Sequence, residues 1–152
     1  MALKRQTHGH GTKSVRLKKN YCFACGQDNP QGMHLKFALD GGRKQFVSHF
    51  RLSKRFTGPP GYCHGGIIAT ILDDAMSKLN KLRDVIAATS QLSIEYLRPV
   101  PLRARLTVES RELNKRGRRL THAAEILDQK GNVLARGRGV FVIINPTDVF
   151  RQ

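Results

Sequence analysis

The chain has 152 residues and 17.1 kDa, enough for one domain that buries roughly two-thirds of its unfolded surface without disulfide or metal staples. Hydrophobic residues make up 39% and charged residues 25%, an ordinary globular balance that excludes collagen, coiled coil and wholesale disorder. The charge is less ordinary: 27 Lys plus Arg against 11 Asp plus Glu give a formal +16, which favours a polyanion, an anionic membrane surface or a phosphorylated small molecule as partner.

The first 20 residues carry six of the basic side chains, no acid, and only Leu3, Val15 and Leu17 as sizeable apolar groups, so residues 1–20 read as a disordered basic tail. Residues 21–152, expected to form a single domain, hold the other 21 basic and all 11 acidic groups and keep a net +10. No apolar run approaches the ~20 residues of a membrane helix, and the amino terminus lacks the apolar centre of a secretory signal, so a cytoplasmic protein is expected. Cys22, Cys25 and Cys63 are too few for a disulfide framework and suit reduced thiols.

Alternation predicts strands over His34–Leu39 and Phe46–Phe50, joined by a Gly41-Gly42 turn. Thr57-Gly58-Pro59-Pro60-Gly61 excludes regular structure and forms a loop. From Gly65 to Leu82 the residues Ile68, Leu72, Ala75, Leu79 and Leu82 recur as one buried stripe, predicting the one long helix. Strands follow at Leu92–Tyr96, Leu106–Glu109, Thr121–Leu127 and Val133–Ile144, with turns at Asn114–Arg119 and Asp128–Asn132. Strands joined by short turns imply an antiparallel sheet, and the amphipathic helix must bury its stripe against one face of it.

His64-Gly65-Gly66 stands where a Pro/Gly loop enters the helix. The first amide N–H groups of a helix have no intrahelical partner, and glycine lets an acceptor approach them closely, so this is either a site that polarises a carbonyl or merely a tight loop-to-helix turn. Gly66, Ala69, Thr70, Asp73 and Ser77 lie on one helix face, too small for an ordinary solvent face, which suggests a second subunit. Cover there desolvates Asp73 and suits it to general-base work. Neighbouring Asp74 reads as an exposed helix carboxylate.

The run His64-Gly65-Gly66-Ile67-Ile68-Ala69-Thr70-Ile71-Leu72-Asp73, preceded by Gly58-Pro59-Pro60-Gly61 and followed by Tyr96-Leu97-Arg98-Pro99-Val100-Pro101, resembles the hotdog-fold acyl-CoA thioesterases of the phenylacetate-degradation type. Cys22-Phe23-Ala24-Cys25-Gly26 with Asn29-Pro30 and Gly32 is similar to a bacterial subset of that superfamily and to the carboxy-terminal modulator protein thioesterases. The resemblance covers about residues 21–144 and implies an α+β hotdog fold, an antiparallel sheet wrapped around one long central helix. It also implies a homodimer with sheets joined edge to edge, and often a homotetramer. On the same grounds the Gly65 N–H polarises a thioester carbonyl, and Asp73 activates water or attacks the carbonyl. His64 shapes the loop, Gly66 contacts substrate, and Thr89 orients the water at a site mixing two chains. Coenzyme A is then part of the substrate, and no cofactor is implied. The sequence departs from a related branch at Gly58, where that branch has Asn, and Glu95 and Leu97 stand where some relatives place more polar coenzyme A contacts.

Arg98 and Arg103 flank the Pro-Val-Pro corner and suit the phosphates of coenzyme A through their planar forks. Cys22-x-x-Cys25 is half of a zinc site, but no second pair exists, and recruiting Cys63-His64 would consume the proposed catalytic loop, so no metal is expected. Cys63 reads as a small loop residue, and His8, His10, His34, His49 and His122 as surface or strand histidines. The expected function is hydrolysis of an acyl-CoA thioester. The rival is a non-catalytic binding module of the same fold for acyl ligands or, through nonspecific charge, nucleic acid.

Overall fold

The computed structural model describes residues 18–145 and 147. Most of the basic tail, and His8 and His10 with it, lies outside the described residues. Six strands form one antiparallel sheet: β1 Ala38–Asp40, β2 Gln45–Phe50, β3 Ala87–Tyr96, β4 Leu106–Arg116, β5 Arg119–Leu127 and β6 Val133–Ile143, in the order β1-β2-β4-β5-β6-β3. One α-helix, α1 (Gly65–Ser77), packs against the face into which Leu106, Val108, Leu120, Ala124, Ile126 and Phe141 project at period two. Ile68, Leu72 and Ala75 fill that face as their spacing predicts, joined by Ile71 and Met76.

Several boundaries differ from the sequence reading. The helix ends at Ser77 and continues as a 3-10 segment to Arg83. Leu79, at the start of that segment, remains buried, while Leu82, near its end, is 40% exposed. The strand expected from His34 begins only at Ala38, because His34 takes φ 53° and the N–H groups of Met33 and Leu35 bond to the Phe23 and Ala24 carbonyls instead. The Asn114–Arg119 turn contracts to Gly117 and Arg118: Gly117 at φ 57° permits a two-residue hairpin, and Arg116 pairs with Arg119. β3 starts five residues before the predicted Leu92, held by its ladder to β6 although most of its side chains are exposed.

The segment before β1 lies across the helix rather than apart from it. Ala24 and Leu35 are core residues, and residues of the Cys22–Cys25 turn reach α1 at Asp74. Asp74 is therefore 9% exposed, not the solvent carboxylate the sequence suggested. The opposite edge of the sheet, β3, has no outer partner strand among the described residues.

Candidate active site

The loop before α1 is fixed by backbone bonds. Pro59 O accepts from Tyr62 N–H at 2.9 Å with Gly61 at φ 83°, Gly58 N–H donates to Tyr62 O at 2.9 Å, and His64 N–H donates to Phe56 O at 2.9 Å. A Cβ on Gly58 would sit 2.7 Å from His64 Cα, so the loop in this conformation has no room for a side chain there. Cys63 N–H bonds to Val100 O at 2.8 Å, tying the loop to the Pro-Val-Pro corner. The Cys63 thiol is buried and pushed up to about 11 by that burial, as suits a small structural loop residue.

His64 caps the helix. Its backbone is extended (φ −62°, ψ 137°), and its Nδ1 accepts from Gly66 N–H at 2.9 Å. The expectation that Gly65 and Gly66 jointly offer free N–H groups is thus corrected: Gly66 N–H is taken by the imidazole. Gly65 N–H meets no acceptor among the described residues. Gly65 lines a cavity of about 540 Å³ together with Tyr62, Ile68, Tyr96, Leu97 and Arg98, among others. Tyr96 O–H donates to Gly65 O at 2.9 Å, holding the next peptide unit, between Gly65 and Gly66. Tyr96 is not among the site residues expected from the sequence, although its place at the head of the Tyr-x-Arg-Pro-x-Pro run carries the signal.

Two turns further along α1, Thr89 O–H donates to Asp73 Oδ1 at 2.8 Å. The β3–β6 register shifts between Thr89 and Gln91, a bulge of the kind that re-aims side chains. Burial raises the Asp73 carboxyl above its ordinary range, the Thr89 bond pulls it back, and the neighbouring Asp74 charge adds to the rise. The Asp73–Thr89 pair belongs to one chain. At 1.5 Å rise per residue, however, the eight-residue step from Gly65 to Asp73 spans about 12 Å along the axis. One chain therefore does not bring both groups to a single carbonyl.

Arg98 is exposed on the Gly65 cavity. Arg103, at φ 62°, is not with it: it lines a separate cleft of about 510 Å³ with Lys54, Thr57 and Gly61, across the loop. Cys22 and Cys25 approach Asp74, not Cys63 and His64. His122 is a strand histidine, as expected, but fully buried. No helix among the described residues is long and apolar enough to cross a membrane.

An antiparallel sheet curved over one helix, with a His-Gly-Gly cap and an aspartate two turns on, defines the hotdog class, and comparison agrees. The family model described as the thioesterase superfamily matches residues 60–135. The chain belongs to that superfamily. Mouse acyl-coenzyme A thioesterase THEM4 is 29% identical over 136 residues, covering 88% of this chain and 58% of its own. A yeast (Saccharomyces cerevisiae) protein named uncharacterized mitochondrial membrane protein FMP10 is 32% identical over 94 residues, 59% of this chain and 38% of that one. Among solved structures, the thioesterase superfamily protein RHA08564 superposes with a TM-score of 0.76 at 28% identity, covering 81% of this chain and 60% of that one. The chain thus spans less than two thirds of the length of these relatives.

Proposed function

We propose that the chain hydrolyses acyl-CoA thioesters at a site that two copies complete. The observation that carries this is the Asp73 carboxylate held by Thr89 at 2.8 Å, on the same helix as a free Gly65 N–H but about 12 Å from it. A second copy, packed on the small-residue face of α1 and along the open edge of β3, supplies the missing half of each site. Asp73 takes a proton from water as the water oxygen attacks the thioester carbonyl. The electron pair moves to the carbonyl oxygen, where the Gly65 N–H and the positive end of α1 stabilise it. Collapse re-forms the carbonyl and breaks the C–S bond, and the departing thiolate of coenzyme A takes the proton.

The name of the mouse relative supports acyl-CoA as the substrate class. The cavity beside Gly65 offers Tyr96 and Leu97 to the apolar part of the ligand and Arg98 to a phosphate, and Arg103 with Lys54 presents a second cationic cleft. The reaction needs water and these side chains and no resident cofactor. Thiol release from a panel of acyl-CoAs tests the proposal. Asp73→Asn is expected to lower turnover by about 10²-fold or more while the circular dichroism spectrum is unchanged. Turnover on no acyl-CoA overturns it in favour of the binding module.

A further inference from the structure

The Cys22–Cys25 turn and Asp74 are left unused by the chemistry above. Cys22 Sγ lies 3.9 Å and Cys25 Sγ 3.7 Å from Asp74 Oδ1, and all three ligand atoms lie within 4.8 Å of one another. Tetrahedral zinc, with Zn–S about 2.3 Å and Zn–O about 2.0–2.2 Å, sets neighbouring sulfur and oxygen ligands about 3.5–3.7 Å apart, close to these separations. The turn is built for the approach: Gly26 N–H donates to Cys22 O at 2.8 Å, and a Cβ on Gly26 would collide with the Cys22 backbone, so Cys-x-x-Cys-Gly curls both thiols to one side.

The Asp74 carboxylate also keeps hydrogen-bonding capacity to spare. Asp74 is 9% exposed, and its Oδ2 has no hydrogen-bond partner among the described residues, a costly condition for a buried carboxylate oxygen. A cation is already drawn to the cluster from within the chain: Lys78 Nζ lies 2.7 Å from Cys25 Sγ and 3.4 Å from Asp74 Oδ1. Its ammonium, which lies over the Phe37 ring at 5.4 Å, is one charge on a long flexible stem, and rotation of that stem withdraws it from the cluster when a stronger cation enters.

We propose that Cys22, Cys25 and Asp74 bind a thiophilic divalent cation of the zinc class, separate from the Asp73–Gly65 site. Binding releases the two thiol protons. Two thiolates, one carboxylate, one divalent cation and the Lys78 ammonium then sum to zero, as do two thiols, the carboxylate and the ammonium without it. The fourth position faces the exposed Cys22 side and takes water. The cation ties the segment before β1 to α1 at the residue next to Asp73.

Cobalt(II) is the probe, added to the full chain under reducing conditions. One equivalent is expected to give the thiolate-to-cobalt charge-transfer absorption, and zinc to bleach it. Zinc is also expected to raise Tm, because a cation bound only by the folded chain stabilises it. Cys22→Ser, whose exposed site leaves the fold intact, and Cys25→Ser are expected to lose the absorption, and Asp74→Asn to weaken binding at least about ten-fold. No charge-transfer absorption from the folded wild type overturns the proposal. So does absorption that persists in Cys22→Ser.

Discussion

At the scale of single residues, the proposed reaction depends on one peptide N–H. Gly66 N–H is spent on the His64 imidazole, and Gly65 N–H is not. The difference is testable by deleting one hydrogen-bond donor without disturbing the chain. His64 already has the extended backbone a following proline demands, and Gly65 is the first helical residue, where proline is tolerated. Gly65→Pro therefore removes the donor and is expected to lower turnover by about 10²–10³-fold with the fold retained. Gly65→Ala keeps the N–H, and its Cβ meets the Tyr96 ring at an ordinary 3.5 Å, so it is expected to stay within a few-fold of wild type. Equal losses in the two variants would assign the glycine to packing instead. Steady-state thiol release on both variants decides between them.

At the scale of elements, the α1 stripe and the alternation of β5 were legible because each buries one face at a single period. Asn114–Arg116 misread as a turn because the far end of β4 is polar on both faces and only its ladder to β5 makes it a strand. The early part of β3, residues 87–91, has small or polar and mostly exposed side chains, and its ladder to β6 makes it a strand. Asp74 misread because its cover comes from residues about 50 positions earlier, which no local pattern announces.

His122 couples β5 to the 3-10 segment in the same long-range way. Its Nε2–H donates to Asn80 Oδ1 at 3.0 Å, its ring packs on Phe141, and its buried Nδ1 has no partner among the described residues. Burial holds its pKa below 6.5. The nearby Glu112 opposes that shift and Arg83 reinforces it, while those two are paired with each other. The folded chain thus keeps His122 neutral, and the unfolded chain takes up a proton below 6.5. This contribution to stability is complete above the unfolded pKa and declines as pH falls towards the folded one. Urea unfolding between about pH 8 and 5 is expected to show a slope of up to about 1.4 kcal/mol per pH unit from this group. In His122→Gln the slope should flatten; a slope that is unchanged assigns it to other groups.

At the scale of the whole molecule, residues 21–152 hold +10 of the +16 charge, and Arg98, Arg103 and Lys54 line two clefts on either side of one loop. Charge placed there raises the local concentration of a phosphorylated ligand and leaves the reacting groups to geometry. That geometry is incomplete in one chain, because about 12 Å of helix lies between Gly65 and Asp73. If each site joins the Gly65 of one protomer to the Asp73–Thr89 pair of its partner, two inactive variants complement each other. In a heterodimer of Asp73→Ala with Gly65→Pro, one of the two sites keeps both groups and the other loses both. Co-expression with two different affinity tags isolates this heterodimer, and about half of wild-type turnover is expected from it. Each parent homodimer carries one defect in both sites and is expected to be nearly inactive. A heterodimer as inactive as its parents would place both groups in the same chain's site, and a chain that never forms dimers would remove the shared site altogether.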